Sequence, residues 1–333
     1  MNALMKVRDL SVDIPVASGI LKPVRGISFD LKKGETLCIV GESGSGKSLT
    51  SLAIMGLLPK SARLTAQQMT FAGTDLTALK ERQMADLRGN RMSMIFQEPM
   101  TSLNPSYTIG DQLTEVMLRH QRVTRAEAKE RAVYLLDRAG ISAAASRLGQ
   151  YPHQLSGGLR QRVMIAMSLM CSPDLIIADE PTTALDVTIQ AKILGLLKDL
   201  QKEMGMGLIF ITHDLGVVAR IADKVAVMYA GTFVESGTVE QIFRAPAHPY
   251  TKGLISCIPV PGKTERGSRL GAIPGVVPSL IGGVQGCGFR SRCPVAIPPC
   301  AVEPDLRPIS DTHELRCVHD RAFLGNFEWE AVR

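Results

Sequence analysis

Two short segments near the start of the chain alternate apolar and polar residues: Leu10-Ser11-Val12-Asp13-Ile14 and Ile27-Ser28-Phe29-Asp30-Leu31. A period of two marks a strand with one buried face, so residues 1–35 are predicted to be β-rich. Three later segments, Thr36–Val40, Leu175–Ala178 and Leu208–Thr212, read as continuously apolar strands. A sheet covered on both faces produces such runs. Each run ends in a cluster of polar residues, which suits the carboxyl edge of an α/β sheet, where ligands bind. The long stretch between the first and second runs is predicted to be mostly helical. Its clearest helix begins at Thr124, where Glu127 three residues on completes a capping box. Ala132, Leu135, Leu136 and Ala139 then recur at helical spacing, and Gly140 is the expected stop. Beyond about residue 245 the periodicity gives way to Pro246, Pro249, Pro259, Pro261, Pro274 and Pro278, marking the expected boundary of an appended domain.

Composition changes this picture little. The 333 residues exceed what one compact domain usually holds, which supports a large domain plus a smaller one. The apolar fraction of 45% and charged fraction of 21% are those of an ordinary folded chain. The net charge of +6 is spread along the sequence without a dense basic run, so nucleic acid is not an expected partner. Lys6, Arg8 and Asp9 interrupt the N-terminus, and no apolar signal-peptide core follows. Nor does any run approach the roughly 20 apolar residues that span a bilayer. The chain is therefore expected in the cytoplasm, with any membrane path supplied by other chains.

The chemistry sits where the apolar strands end. The first runs straight into Gly41-Glu42-Ser43-Gly44-Ser45-Gly46-Lys47-Ser48, followed by Leu49 and a helical segment. This is G-x-x-x-x-G-K-[ST] in a strand–loop–helix setting, the pattern that cradles nucleotide phosphates. Its glycines let successive backbone N–H groups point inward at phosphate oxygens, and the helix N-terminus adds its positive end. Lys47 is expected to reach the β- and γ-phosphates and Ser48 to offer its hydroxyl to Mg²⁺; the alternative is a chance Gly/Ser-rich turn. The second strand ends in Asp179-Glu180. Asp179 can bind Mg²⁺ and Glu180 can polarise the attacking water, although such a pair can also cap the next helix. Gln97, before a turn, and His213, at the end of the third strand, are candidates for contact with the γ-phosphate, water or Mg²⁺. A lone Gln or His at such a position is more often a structural hydrogen-bonding residue.

Leu155-Ser156-Gly157-Gly158-Leu159-Arg160-Gln161-Arg162 is a second glycine-rich helix start, with Ser156 as N-cap. It resembles the signature motif of ATP-binding-cassette (ABC) ATPases, with Leu159 where the commonest form has Gln. Phosphate loop, Gln97, signature, Asp179-Glu180, Ala184-Leu185-Asp186 and His213 fall in that family's order. The resemblance implies an α/β P-loop ATPase domain over residues 1–240, with an inserted helical subdomain at about 98–172. A small Cys-containing C-terminal domain would cover residues 241–333. It also implies that two ATPase subunits dock head to tail, so that Ser156, Gly157 and Gly158 complete the partner's nucleotide site. Gln97 would couple the site to the transmembrane partner, His213 would act as a switch on the γ-phosphate, and Asp186 would line the dimer seam. Phe96-Gln97-Glu98-Pro99-Met100-Thr101-Ser102-Leu103-Asn104-Pro105, His248-Pro249-Tyr250-Thr251-Lys252-Gly253-Leu254 and Ile273-Pro274-Gly275-Val276-Val277-Pro278 are similar to the oligopeptide/dipeptide importers. That subfamily implies ATP hydrolysis driving import of peptides or a related solute, at the cytoplasmic face of the inner membrane. Its partners would be a second, different ATPase chain, two permeases and an external solute-binding protein. A soluble ABC ATPase acting on nucleic acid or ribosomes is the alternative. Such proteins usually carry two cassettes or long coiled-coil inserts, and this sequence has neither.

One region departs from the pattern. Many ABC ATPases stack adenine on an aromatic residue ahead of the phosphate loop, but Val12–Val24 contains none. Ile14 is the expected nearest occupant, with looser discrimination between bases. The cysteines divide in two. Cys38, Cys171 and Cys257 are scattered and expected to pack as small apolar residues. Cys287, Cys293, Cys300 and Cys317 crowd together, and four thiolates suit Zn²⁺ or an iron–sulfur cluster. The C-x2-C pairs typical of structural zinc are absent, and free thiols remain an alternative. The resemblance implies a [4Fe–4S] cluster acting as a structural staple. His313 and His319 are expected at the surface rather than among its ligands.

Overall fold

The computed structural model describes residues 3–98, 102–182, 187–258 and 271–329. Its strands begin with β1 (Met5–Val16), β2 (Gly19–Leu31), β3 (Thr36–Val40), β4 (Arg63–Thr65), β5 (Gln68–Phe71), β6 (Thr74–Asp75) and β7 (Met92–Ile95). They continue with β8 (Leu175–Asp179), β9 (Gly207–Thr212), β10 (Lys224–Tyr229), β11 (Thr232–Thr238), β12 (Arg307–Ser310) and β13 (His313–Leu315).

The alternating N-terminal segments form β1 and β2, which pair antiparallel from Met5 opposite Leu31 to Val16 opposite Gly19. The alternation is not perfect, and the structure gives the reason. Val7 and Leu10 are both buried although three positions apart, because the register shifts between them. Asp9 takes a positive φ of 51° there, and its N–H donates to Ser28 Oγ at 3.0 Å. One extra residue thus returns the apolar set to the same face. β5 and β4 pair along the other side of β1, and β6 pairs with β5. β4 to β7 fall in the stretch predicted as mostly helical. They are too short for their alternation to stand out, though Met69 and Phe71 of β5 are buried on one face.

The second sheet has the order β12-β13-β11-β10-β3-β9-β8-β7 among the described residues. β10, β3, β9, β8 and β7 are parallel. The predicted continuous apolar runs are its central strands. Cys38, Val40, Ile176, Ala178, Leu208 and Phe210 belong to one core, shared with helices Ile109–His120, Arg125–Arg138, Gly157–Ser168 and Val187–Met204. Leu37, Ile39, Leu175, Ile177, Ile209 and Ile211 belong to the other, shared with β1, β2 and helix Lys47–Ile54. Every position on these strands therefore faces a core, which is why the sequence shows no alternation. The helix predicted from Thr124 has its capping box: Glu127 N–H donates to Thr124 Oγ1 and Thr124 N–H to Glu127 Oε2. Ala132, Leu135, Leu136 and Ala139 are buried, and Gly140 ends the helix at φ 73°.

The C-terminal stretch continues the same sheet. The β12–β13 hairpin adds to β11 with Glu235 opposite Leu315. Its joint is polar: Glu235, wholly buried, accepts from the N–H groups of Ala247 and His248 at 2.7 and 2.9 Å. Its Oε1 also lies 2.8 Å from Nε2 of His313, which is 1% exposed. His313 is therefore a core residue, not the surface residue its polarity suggested. Burial holds the His248 imidazole at a pKa of about 4, against the opposing pull of Glu235, so it is neutral where its Nδ1 accepts from Tyr250 N–H at 3.0 Å. Removing the carboxylate strands three buried polar partners. Glu235→Leu is expected to cost about 3–5 kcal/mol of stability, read as a lower urea unfolding midpoint. A midpoint unchanged from the parent would overturn this account of the joint.

Candidate functional site

The register of the parallel strands brings four chain exits to one edge. Val40 lies opposite Thr212, Ile211 opposite Asp179, and Ala178 opposite Ile95. Gly41, His213, Glu180 and the Phe96-Gln97 pair therefore leave the sheet side by side.

The phosphate loop is shaped by close approach. A Cβ at Gly41 would lie 2.1 Å from the carbonyl of Met228 on β10, and one at Gly46 would lie 2.0 Å from the carbonyl of Pro23 on β2. Gly46 also takes φ 106° as it opens helix Lys47–Ile54, a conformation that favours glycine. No other residue fits at either place. The helix N-terminus and the loop amides form an anion cradle. Lys47 is 5% exposed, and its ammonium donates to the carbonyls of Gly41 at 2.8 Å and Glu42 at 3.0 Å. Burial pushes its pKa down, while Glu180, Asp179 and Glu42 push it up.

Across the loop, Ser48 Oγ donates to Asp179 Oδ1 at 3.0 Å. Burial raises the Asp179 pKa, the Ser48 hydrogen bond opposes this, Glu180 raises it further and Lys47 lowers it. Such a carboxyl favours a cation, and Ser48 Oγ, Asp179 and the amide oxygen of Gln97 are hard oxygen donors of the kind Mg²⁺ prefers. Glu180 is the hub. Gln97 Nε2 donates to its Oε2 at 3.1 Å, and His213 Nδ1 lies 3.3 Å from the same oxygen. The Glu180 backbone takes φ 45° while its N–H donates to Ile211 O at 2.9 Å. A left-handed glutamate is strained and commonly marks a working site; no feature of the sequence announces it.

Phosphate loop, Gln97, Glu180 and His213 line one cavity of about 770 Å³, together with Leu21, Pro23, Leu254 and Leu280. These four form its apolar wall. Ile14, the expected occupant, packs instead against the core of the antiparallel sheet. Its cross-strand partner Leu21 lines the cavity, because β2 runs past the loop, and the segment around Leu280 adds to that wall. Lys22 N–H donates to Leu280 O at 3.0 Å and Gly282 N–H to Ile20 O at 2.8 Å. Leu254 and Leu280 come from far along the sequence; Leu254 ends the His248–Leu254 segment singled out above, but its residues carry no sign of a place beside the phosphate loop, and Leu280 belongs to no such segment.

The signature residues stand apart from this cavity. Ser156 caps helix Gly157–Ser168, accepting from Leu159 N–H, and both Ser156 and Gly157 are exposed. A Cβ on Gly157 would meet nothing within 4 Å in this chain. Ala184, Leu185 and Asp186 lie outside the described residues. In the C-terminal region, Cys300 and Cys317 are buried and Cys287 and Cys293 partly so. Burial pushes Cys293 up to about 12, with Cys287, Cys317 and Cys300 adding to the rise. Burial, with a smaller contribution from charge on neighbouring thiols of the set, pushes Cys287 and Cys317 up as well. Yet among the described residues no three His, Cys, Asp or Glu side chains converge closely enough to hold a metal ion. His319 Nε2 lies 2.6 Å from Val295 O, turned to the backbone.

Comparison with known proteins agrees with this arrangement. Residues 24–183 match the family described as ABC transporter, and residues 234–300 match the oligopeptide/dipeptide transporter C-terminal region. The chain is 50% identical over 319 residues to the dipeptide transport ATP-binding protein DppD of Bacillus subtilis, covering 95% of each. It is 50% identical to the oligopeptide transport ATP-binding protein OppD of the same organism, covering 95% of this chain and 88% of the relative. Against the Escherichia coli DppD the figure is 49%, covering 95% and 96%. Among solved structures, the ATP-binding cassette MJ0796 in a dimeric post-hydrolysis state with ADP and Pi is similar, with a TM-score of 0.64 and 26% identity. That match covers 71% of this chain and 98% of the cassette.

The apolar wall bears on base selection. Leu21, Pro23, Leu254 and Leu280 carry no side-chain hydrogen-bonding group, and an apolar surface separates similar rings weakly. ATP and GTP are expected to compete within about tenfold of one another. Displacement of labelled ATP by GTP measures this, and an ATP preference of about 10³ or more would overturn it.

Proposed function

The chain belongs to the ATP-binding subunits of oligopeptide/dipeptide ABC transporters, and from that membership we propose that it hydrolyses Mg·ATP at its parallel-sheet edge to drive peptide import. One convergence carries this reading. Ser48 meets Asp179 at 3.0 Å, while Gln97 and His213 meet one oxygen of Glu180 at 3.1 and 3.3 Å, all beside the phosphate loop.

In this reading the amides from Gly41 through Leu49 cradle the phosphates, and Lys47 turns from the loop carbonyls to the β- and γ-oxygens. Ser48, Asp179 and Gln97 would hold Mg²⁺, which would supply charge neutralisation to the bound nucleotide. Glu180 takes the proton of the attacking water, and Gln97 and His213 fix its carboxylate for that task. His213 also senses the γ-phosphate.

Ser156, Gly157 and Gly158 complete a partner's site, adding donors to the γ-phosphate in trans. The exposure of Ser156 and Gly157 and the open space over Gly157 support a role outside the chain's own packing. Asp186 is assigned to the dimer seam. No helix among the described residues is long and apolar enough to cross a membrane. We therefore assign the translocation path to two permease chains, fed by an external solute-binding protein. The chain itself sits at the cytoplasmic face of the inner membrane beside a second, different ATPase chain. Residues 1–240 form the nucleotide-binding domain, with a helical subdomain at about 98–172, and residues 241–333 form the C-terminal domain. We further propose a [4Fe–4S] cluster on Cys287, Cys293, Cys300 and Cys317. Four unpaired cysteines in one region, two buried and two partly so, support that reading, and the cluster would supply a staple to a Pro/Gly-rich segment.

Glu180→Gln is expected to keep ATP binding and lose about 10²–10⁴-fold in turnover, measured as phosphate release against nucleotide affinity. Unchanged turnover would overturn the base assignment. Anaerobically purified protein is expected to carry about four irons and four sulfides per chain; absence of both would remove the cluster.

A further inference from the structure

Glu42 is an anomaly in a loop built to hold phosphates. Its carbonyl accepts from Lys47 Nζ at 3.0 Å, and its carboxylate is near enough to raise the Lys47 pKa. A free carboxylate there would oppose the triphosphate the loop receives. It is not free. Arg292 Nη1 donates to Glu42 Oε2 at 2.6 Å and Nη2 to Glu42 Oε1 at 3.0 Å, a two-pronged pair reaching across 250 residues of sequence.

The cation is held with unusual completeness. Arg292 Nε donates to Pro274 O at 2.9 Å, Nη2 also to Ile273 O at 2.9 Å, and Nη1 also to Tyr229 Oη at 3.2 Å. All five guanidinium donors are thereby used. The Arg292 side chain is 4% exposed, and its guanidinium lies over the rings of Tyr229 and Phe289 at 5.8 and 5.9 Å. A Cβ on Gly275 would come within 3.0 Å of its stem. The Glu42 N–H, for its part, donates to Tyr250 Oη at 2.9 Å. The loop is thus pinned through one residue by two groups from beyond residue 245.

We propose that Arg292 is a positioning residue for nucleotide binding: supplied in cis by the C-terminal region, it fixes the phosphate loop through Glu42 and neutralises that carboxylate, so that the cradle presents net positive charge. The inference rests on the ATP-site reading above. The two differ in what they require, since the site needs Lys47 whereas this coupling needs the Glu42–Arg292 pair.

A double-mutant cycle on the full chain tests it, with binding of Mg²⁺ and a non-hydrolysable ATP analogue followed calorimetrically. Arg292→Met leaves the Glu42 charge bare beside the phosphates and is expected to weaken binding about tenfold or more. Glu42→Gln, a change within the binding loop itself, is measured as the reference, and adding Arg292→Met on that background is expected to weaken binding by less than about threefold further. Loss of the arginine's effect once the charge is gone separates this role from plain structural support, which would cost the same on either background. Parent-like binding by Arg292→Met would overturn the proposal, as would a loss on the Glu42→Gln background as large as on the parent. Should Arg292→Met fail to fold, Arg292→Gln, which keeps amide donors for the Ile273 and Pro274 carbonyls, carries the same cycle with the same criteria. Absent binding by the parent, or parent-like binding by Lys47→Ala, would instead overturn the ATP-site reading.

Discussion

The approach of the phosphate loop to two neighbouring backbones is the constraint on which the rest depends. Gly41 passes the carbonyl of Met228 and Gly46 that of Pro23, each closer than any side chain permits. Those contacts bring the end of β3 against β10 on one side and β2 on the other. The parallel sheet and the antiparallel sheet therefore meet at the loop, and β2 delivers Leu21 and Pro23 to the cavity as a consequence. Loosen either contact, and both the shape of the cradle and the apolar wall beside it lose their reference. Two of the motif's glycines answer directly to this geometry, Gly41 through close approach and Gly46 through close approach and a φ of 106° together.

Much of this was legible because it is local. A run with a core on each face reads as continuous apolar sequence, so β3, β8 and β9 stood out, and the polar residues at their ends marked the site edge. The capping box at Thr124 and Glu127 specifies its own helix start. Other features depend on pairings that no window of sequence contains. The bulge at Asp9, the left-handed backbone of Glu180 and the burial of His313 on Glu235 arise from neighbours supplied by other strands. Leu254, Leu280 and Arg292 reach the site from beyond residue 245, where Pro- and Gly-rich sequence carries no periodicity to read. Ile14 lies directly opposite Leu21 on the paired strand, but only Leu21 lines the cavity, a distinction that no window of sequence contains.

The charges around the loop form one system. Lys47 alone faces three carboxylates, Glu180, Asp179 and Glu42, all of which act on its pKa. Asp179 carries a raised pKa because burial and Glu180 outweigh Ser48 and Lys47. Without further cations this cluster would be a poor receptor for a triphosphate. Arg292 pairs with the Glu42 charge inside the chain itself, whereas Asp179 has only Ser48 and Lys47 opposing its raised pKa and would be the carboxylate to hold Mg²⁺, which would supply the missing positive charge.

Seen this way, the C-terminal region is not a passenger on a finished ATPase. Its hairpin extends the main sheet, with Glu235 of β11 buried in the joint. Its middle segment lies along β2 and lends Leu280 to the base wall. Phe289 packs on Tyr229, Tyr250 and Trp329, forming an aromatic layer beneath Arg292. A staple across Cys287, Cys293, Cys300 and Cys317 would hold that layer at Cys293, the residue next to Arg292. Losing it would release the arginine's seat without touching any residue of the loop. The Glu42–Arg292 pair thus ties the phosphate loop of this chain to the folding of the region beyond residue 245.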